Sequence, residues 1–211
     1  MVDFQQRDTS RGLATDEAED ESEAEEPAEE EEEVDVDHHH HDHHAHDLEH
    51  VGVGVLTVSS TRTIDADPSG DAIEAAVEEA GNEVVTRELV GDSLDTVQSA
   101  VNQLARRKDV DVVITTGGTG VSPDDVTVEA IEPLLQKDLP GFGELFRRLS
   151  YEDVGTKTIA TRSKAGIADG VPIFALPGNV DAVELGVGEV ILPEIGHIAG
   201  LARRGLDEEE A

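Results

Sequence analysis

The chain has 211 residues, with 49 Asp/Glu against 15 Lys/Arg and a formal net charge of −34, long enough for one ordinary domain plus an extension. That balance speaks against a nucleic-acid surface, which needs clustered Lys/Arg, and the lack of cysteine excludes disulfides, thiolate metal sites and a Cys nucleophile. No basic segment with a following apolar core opens the sequence, and no apolar run reads as a membrane span, so a cytoplasmic location is expected.

The charge is unevenly spread. Residues 1–50 hold 20 Asp/Glu and two Arg, and the remainder holds 29 acidic and 13 basic residues. Lysine occurs four times, large aromatics are limited to four Phe and one Tyr, and Ala and Val abound. An acidic, lysine-poor composition of small hydrophobes suits concentrated salt, which screens self-repulsion, so a halophilic origin is expected.

In chain order, Met1–Thr15 is mixed and polar, Asp16–Asp37 is an acidic run, and His38–His50 is a histidine tract broken by Asp and Ala. Residues 1–50 contain too little apolar surface to offset ordering entropy and are expected to be a disordered tail. The tract reads as a native low-complexity segment rather than a purification tag, with weak affinity for Zn²⁺, Ni²⁺ or Cu²⁺. The folded domain is expected over 51–204, followed by an acidic end, 205–211.

Val51–Ser59 is an apolar run typical of a strand buried on both faces. Ser69–Ala80 places Ile73, Ala76, Val77 and Ala80 on one helical face, with Gly81 as its C-terminal stop. Glu83–Val90 is a second strand, and Ser93 opens a helix bearing Leu94, Val97, Val101 and Leu104. Val110–Thr115 is a third strand. Helices are expected around Thr127–Gln136 and Gly141–Tyr151, a short strand over Ile159–Lys164, and a core strand over Val171–Leu176. A last helix carries Val183, Val187 and Ile191 and is interrupted at Pro193.

This alternation implies βαβ crossovers: an α/β fold of three layers, α/β/α, around a mostly parallel sheet. Ligands then sit beyond the carboxyl ends of the strands, where Ser59–Asp67, Gly91-Asp92, Thr116–Asp125 and Pro177–Asn179 all fall.

Gly117-Gly118-Thr119-Gly120 follows an apolar strand, and such glycines let backbone N–H groups converge on a phosphate. No Gly-Lys-Ser/Thr follows, so this is not a Walker A loop, and Gly52-Val53-Gly54 lacks the third glycine of a dinucleotide fingerprint. Either Asp125 or Thr127 is expected to cap the next helix, leaving the other to face the pocket. A carboxylate beside bound phosphate makes sense as a Mg²⁺ ligand, with Asp92 the second candidate. Two Asp residues and a glycine loop suit phosphoryl or nucleotidyl transfer.

TTGGTGVSPDDVTVEA resembles the TGGTG…D-x-T-x-E-A signature of the MoaB/Mog molybdenum-cofactor proteins. VSSTRTIDADPSG upstream, and LPGFGE, TRS and LPGN downstream, resemble that family's other segments in order and spacing across about residues 51–202. The resemblance implies adenylylation of the terminal phosphate of molybdopterin, with ATP and Mg²⁺, by homotrimers or hexamers. It also implies possible contact with the pathway's metal-insertion enzyme, for molybdenum or tungsten. It assigns Asp92 and Asp125 to catalysis and Mg²⁺ handling, and the loop of Thr116, Gly117, Gly118, Thr119 and Gly120, with Thr127 and Glu129, to phosphate binding. Ser59, Arg62, Asp67, Ser69 and Gly70 match the opening motif. Arg162 and Ser163 match a region near the pterin, and Pro177, Gly178 and Asn179 match the LPGN turn. Ser60, Gly91 and Val180 depart from the pattern, in which Asp, Pro and Pro are usual. The competing reading is a non-catalytic molybdopterin-binding or scaffold protein.

Overall fold

The computed structural model describes residues 47–204. Six strands form one sheet in the order β2-β1-β3-β6-β5-β4. The first four in that order are β2 (Glu83–Val90), β1 (Gly52–Val58), β3 (Val112–Thr116) and β6 (Val171–Leu176), and they run parallel. Their carboxyl ends therefore share one rim, as the alternating pattern requires.

Helices cover both faces. On one side α1 (Pro68–Glu79), α4 (Pro140–Val154), α5 (Val180–Leu185) and α6 (Ile195–Arg203) pack over Val53, Val55, Val112, Ile114, Phe174 and Leu176. On the other, α2 (Leu94–Ala105) and α3 (Thr127–Ile131) pack over Leu56, Val58, Val113, Ile173 and Ala175. Both faces of the central strands are thus dry, which explains their continuous apolar runs.

Three elements differ from expectation. Ile159–Lys164 is not a strand: Gly155–Ala160 is a 3₁₀ turn, and β5 is Lys164–Ala168, antiparallel to β6. The cause is the two-residue turn Asp169-Gly170, both at positive φ (49° and 78°), which folds β5 back as a hairpin. An edge strand β4, Lys137–Asp138, pairs with β5, and the helix expected to reach Gln136 ends early as α3 and a 3₁₀ turn, Glu132–Leu134.

The helical run Val180–Arg203 is long and apolar enough by length and composition to cross a membrane, contrary to the reading that no run approaches a span. Val183, Val187, Ile191, Ile195 and Ala199 recur every fourth residue along it and are buried in the core. It is a core helix; a π-helical stretch, Gly186–Ile191, and a 3₁₀ turn precede α6 where Pro193 removes a backbone donor.

Residues ahead of Val51 join the packing of the domain. Leu48 N–H donates to Gly196 O at 3.2 Å, the Leu48 side chain packs on the core, and Asp47 pairs with His197 at 2.7 Å. The expectations for the acidic run, for His38–His46 and for 205–211 lie outside the described residues.

Candidate active site

The loop after β3 is shaped by two glycines at positive φ, Gly117 (98°) and Gly118 (66°). A Cβ at Gly117 would lie 2.3 Å from Val58 O, and one at Gly118 2.3 Å from Thr127 Oγ1, so no side chain fits at either. The loop carbonyls are tied to the protein. Gly117 O accepts from Thr127 Oγ1 (2.8 Å), Gly118 O from Thr127 N (3.0 Å), Thr119 O from Arg162 N (2.8 Å) and Gly120 O from Arg162 Nε (2.6 Å). Among the described residues the N–H groups of Gly118, Thr119 and Gly120 donate to no protein acceptor. Carbonyls bound and amides open make an anion nest.

Neither Asp125 nor Thr127 caps α3, whose N-cap is Val126 without a side-chain bond. Thr127 is buried under the loop. Asp125 accepts from Ser122 N at 2.8 Å and lies over Gly120, where a Cβ would sit 2.6 Å from Oδ2.

Arg162 acts as a strap. Its guanidinium also donates to Asp125 O at 2.8 Å and forms an ion pair with Glu129. That hydrogen bond holds Arg162 above its ordinary pKa and Glu129 below the usual glutamate range. Both side chains therefore brace the loop. Ser163 is buried, its hydroxyl 2.9 Å from Thr161 Oγ1 and its carbonyl accepting from Arg147 at 3.2 Å.

The opening motif is also internal. Ser59 Oγ accepts from the N–H groups of Thr61 and Arg62, closing a turn. Asp67 is fully buried and accepts from Thr57 Oγ1 (2.5 Å), Gly70 N (3.2 Å), Arg62 (3.4 Å) and Arg87 (3.1 Å). Burial pushes this carboxyl upward, but the bonds from Thr57, Gly70 and Arg87 outweigh it and hold the pKa below the usual aspartate range. Gly70 is required because a Cβ there would lie 2.2 Å from Asp67 Oδ2. Arg62 and Ser69 both donate to Gly178 O, at 2.9 and 2.8 Å, and Thr116 Oγ1 donates to Pro177 O at 2.8 Å. The motif thus positions the LPGN turn against the glycine loop, and Asp67, Ser69 and Gly70 have no surface to offer a ligand directly.

A cleft of about 790 Å³ opens between the glycine loop, the LPGN turn and α4. Of the residues singled out in the sequence, Gly118, Thr119, Gly120, Asp125, Pro177, Gly178 and Asn179 line it. Reading the sequence missed its other wall: Phe146, Ser150, Asp153 and Val154 of α4, Lys157 and Thr158 of the 3₁₀ turn, and Asp181 and Leu185 of α5. Ser150 follows Phe142 and Phe146 at helical spacing, so a hydroxyl where a core residue belongs was the available sign. A second groove of about 420 Å³, walled by Leu94, Val121, Val126, Glu129 and Arg162, also reaches Asp125.

Asp92 stands apart. It is half-buried on the same rim, accepts from Ser60 Oγ, and lines neither cavity. No group of three or more metal-binding side chains occurs among the described residues. Of the two carboxylates expected to hold Mg²⁺, only Asp125 lines a cavity.

A doubly covered, mostly parallel sheet with a glycine-rich loop, a carboxylate and a cleft at its carboxyl rim defines an α/β protein with its candidate ligand site at the strand ends. The model of the family described as a probable molybdopterin binding domain matches residues 54–197, and the chain belongs to that family. It is 44% identical over 145 residues to molybdenum cofactor biosynthesis protein B of Bacillus anthracis, covering 68% of this chain and 86% of that one. A crystal structure of a molybdenum cofactor biosynthesis protein B aligns with TM-score 0.72 at 42% identity, over 74% of this chain and 97% of the other. The tungsten cofactor synthesizing protein MoaB from Pyrococcus furiosus aligns with TM-score 0.67 at 39% identity, over 74% and 99%.

Proposed function

We propose that this protein acts in molybdenum cofactor biosynthesis as an adenylyltransferase, moving AMP from ATP to the terminal phosphate of molybdopterin. The observation that carries this reading is the Gly118–Gly120 nest, with its carbonyls tied and its amides open, set against Asp125 on a cleft large enough for a fused heterocycle. An oxygen of the pterin phosphate attacks the α-phosphorus of ATP in line. The new P–O bond forms as the bond to the β-phosphate breaks, and pyrophosphate leaves with the electron pair. A phosphate nucleophile is already ionised at neutral pH, so no side chain need remove a proton. The loop amides hold phosphate oxygens, Arg162 and Thr127 keep those amides aimed, and Arg62 holds the LPGN turn beside them. Asp125 is the residue that would hold Mg²⁺ here, and the ion would supply neutralisation of the charge on the triphosphate.

The test is release of pyrophosphate on mixing the chain with molybdopterin, ATP and Mg²⁺. Pyrophosphate formed only when all three are present is the expected result. Tight molybdopterin binding without pyrophosphate would install the scaffold reading, which the place of Asp92 outside both cavities favours.

A further inference from the structure

Arg87 stands outside every motif segment and lines neither the cleft nor the groove, yet its hydrogen bonds lead to the site. In β2 it is level with Val55 of β1, whose side chain faces α1, and so it reaches under the start of that helix. Its bonds to Asp71 and Glu74 go to carboxylates 65% and 40% exposed, and such surface pairs contribute little. Its buried bonds both go to Asp67: Nη2 donates to Oδ2 at 3.1 Å and to the main-chain oxygen at 3.0 Å. Arg87 Nε is buried without an acceptor, and a Cβ at Gly70 would lie 2.6 Å from Nη2, so the guanidinium rests against the backbone of Gly70.

The other carboxylate oxygen of Asp67 carries the contact onward. Oδ1 accepts from Arg62 Nη1 at 3.4 Å, and Arg62 Nη2 donates to Gly178 O at 2.9 Å. Gly178 lines the cleft, and a Cβ on it would sit 3.2 Å from Gly117 Cα, so the hold on its carbonyl sets how the LPGN turn meets the glycine loop. We infer that Arg87 is a positioning residue for the site: through Asp67 and Arg62 it fixes the Gly178 carbonyl, and with it the turn that abuts the loop. Arg62 does not suffice by itself, because it meets Asp67 at the limit of hydrogen-bond range and is 31% exposed, whereas Arg87 is closer and 14% exposed. Without Arg87 the buried Asp67 charge loses its nearer cation, Arg62 is drawn inward to replace it, and the grip on Gly178 O lengthens. Ser69 Oγ still donates to that oxygen, so the turn shifts rather than comes loose. The effect on rate rests on the adenylyl-transfer reading; the effect on the turn does not.

The experiment uses the full chain. Pyrophosphate release gives kcat and the KM for ATP, and the ¹⁵N shift of the Asn179 amide reports the hydrogen bonds accepted by the Gly178 carbonyl before it. Arg87→Met keeps the stem and removes the fork. Its kcat is expected to fall about tenfold with KM within about twofold, since no contact to a ligand is lost, and the Asn179 amide should shift. Arg87→Lys keeps the charge without the fork and should lie between, about threefold slow, with a smaller shift in the same direction. Arg203→Met is the control. It breaks the bonds to Val110 O and Asp111 at the amino end of β3, so it should lower stability and leave both kcat and the Asn179 amide unchanged. A folded Arg87→Met with wild-type kcat or an unmoved amide overturns the inference, as does an Arg203→Met that is slowed equally. If Arg87→Met does not fold, Arg87→Lys decides by the same two readings. A wild-type chain that forms no pyrophosphate overturns adenylyl transfer, and the amide shifts alone then decide this inference.

Discussion

The two halves of the rim carry the same kinds of residue and use them in opposite ways. On the β1–β2 side, Asp67 is fully buried and every oxygen is engaged, by Thr57, Gly70, Arg62 and Arg87. On the β3–β6 side, Asp125 takes one hydrogen bond from Ser122 N and otherwise faces two cavities. Both carboxylates sit in motif segments. Only the second has anything left to give a substrate, so a carboxylate's environment, not its place in a motif, separates architecture from chemistry.

The comparison is broken most readily at Asp67. Asp67→Ala leaves Arg87 beside Asp71 and Glu74 but removes its buried partner, and should cost about 3–5 kcal/mol of stability. Chemical denaturation checks it, and a loss below about 1 kcal/mol would mean the network is decorative. The same residue sets an acid response. Its folded pKa lies below the ordinary aspartate value of 3.8, so its contribution is present above that value and is lost as pH falls through the folded one. Between the two, the unfolded chain binds more protons. The acid limb of a stability profile below about pH 4 should therefore be shallower in Asp67→Asn than in the wild type.

Asp125→Asn should act the other way round. Losing the charge in the cleft is expected to remove about 3 kcal/mol of transition-state stabilisation, roughly a hundredfold in adenylylation rate. The unfolding midpoint should stay almost unchanged, because a half-exposed side chain with one hydrogen bond contributes little. Equal losses of rate and stability would erase the contrast with Asp67.

A smaller effect separates conformation from packing in the glycines. Gly118→Ala must hold φ near 66° and also place Cβ against Thr127, whereas Gly155→Ala meets nothing within 4 Å at a similar φ of 61°. The first should cost about 2–3 kcal/mol with loss of phosphate binding. The second, at ψ −139° in a region nearly reserved for glycine, should cost about 1–3 kcal/mol with none. Paired thermal melts and pyrophosphate titrations read both quantities.

The contrast also explains what could be read from the residues alone. Parallel strands buried on both faces announce themselves as apolar runs, and the glycine loop is legible because its constraint is local: only glycine reaches φ of 98° and 66° there. Asp169-Gly170 was the written sign of the β5–β6 hairpin, but the Thr-rich stretch before it reads more like a strand than Lys164–Ala168 does. Burial of Asp67 was not legible, because Arg87 reaches it from β2, 20 residues on. Nor was the far wall of the cleft, since Asp153, Lys157 and Asp181 meet only after α4 and α5 pack on one face.

The smallest effect concerns Asp92, which sequence pattern pairs with Asp125 as a second ligand of the same ion. If the two shared one ion, removing either would disable it, and the double variant would be little worse than the single ones. The geometry argues otherwise. Asp92 is tied to Ser60 at the end of the edge strand and lines neither cavity that Asp125 does. Asp92→Asn is therefore expected to slow adenylylation by about tenfold or less, through the turn it shares with Ser60, and its effect should add to that of Asp125→Asn. Rates for the wild type, both single variants and the double variant close the cycle. Additive free energies would leave Asp125 as the carboxylate that meets the metal–triphosphate. A double variant no slower than Asp125→Asn would show that the rim closes around the ion and brings Asp92 to it, making the two carboxylates one site after all.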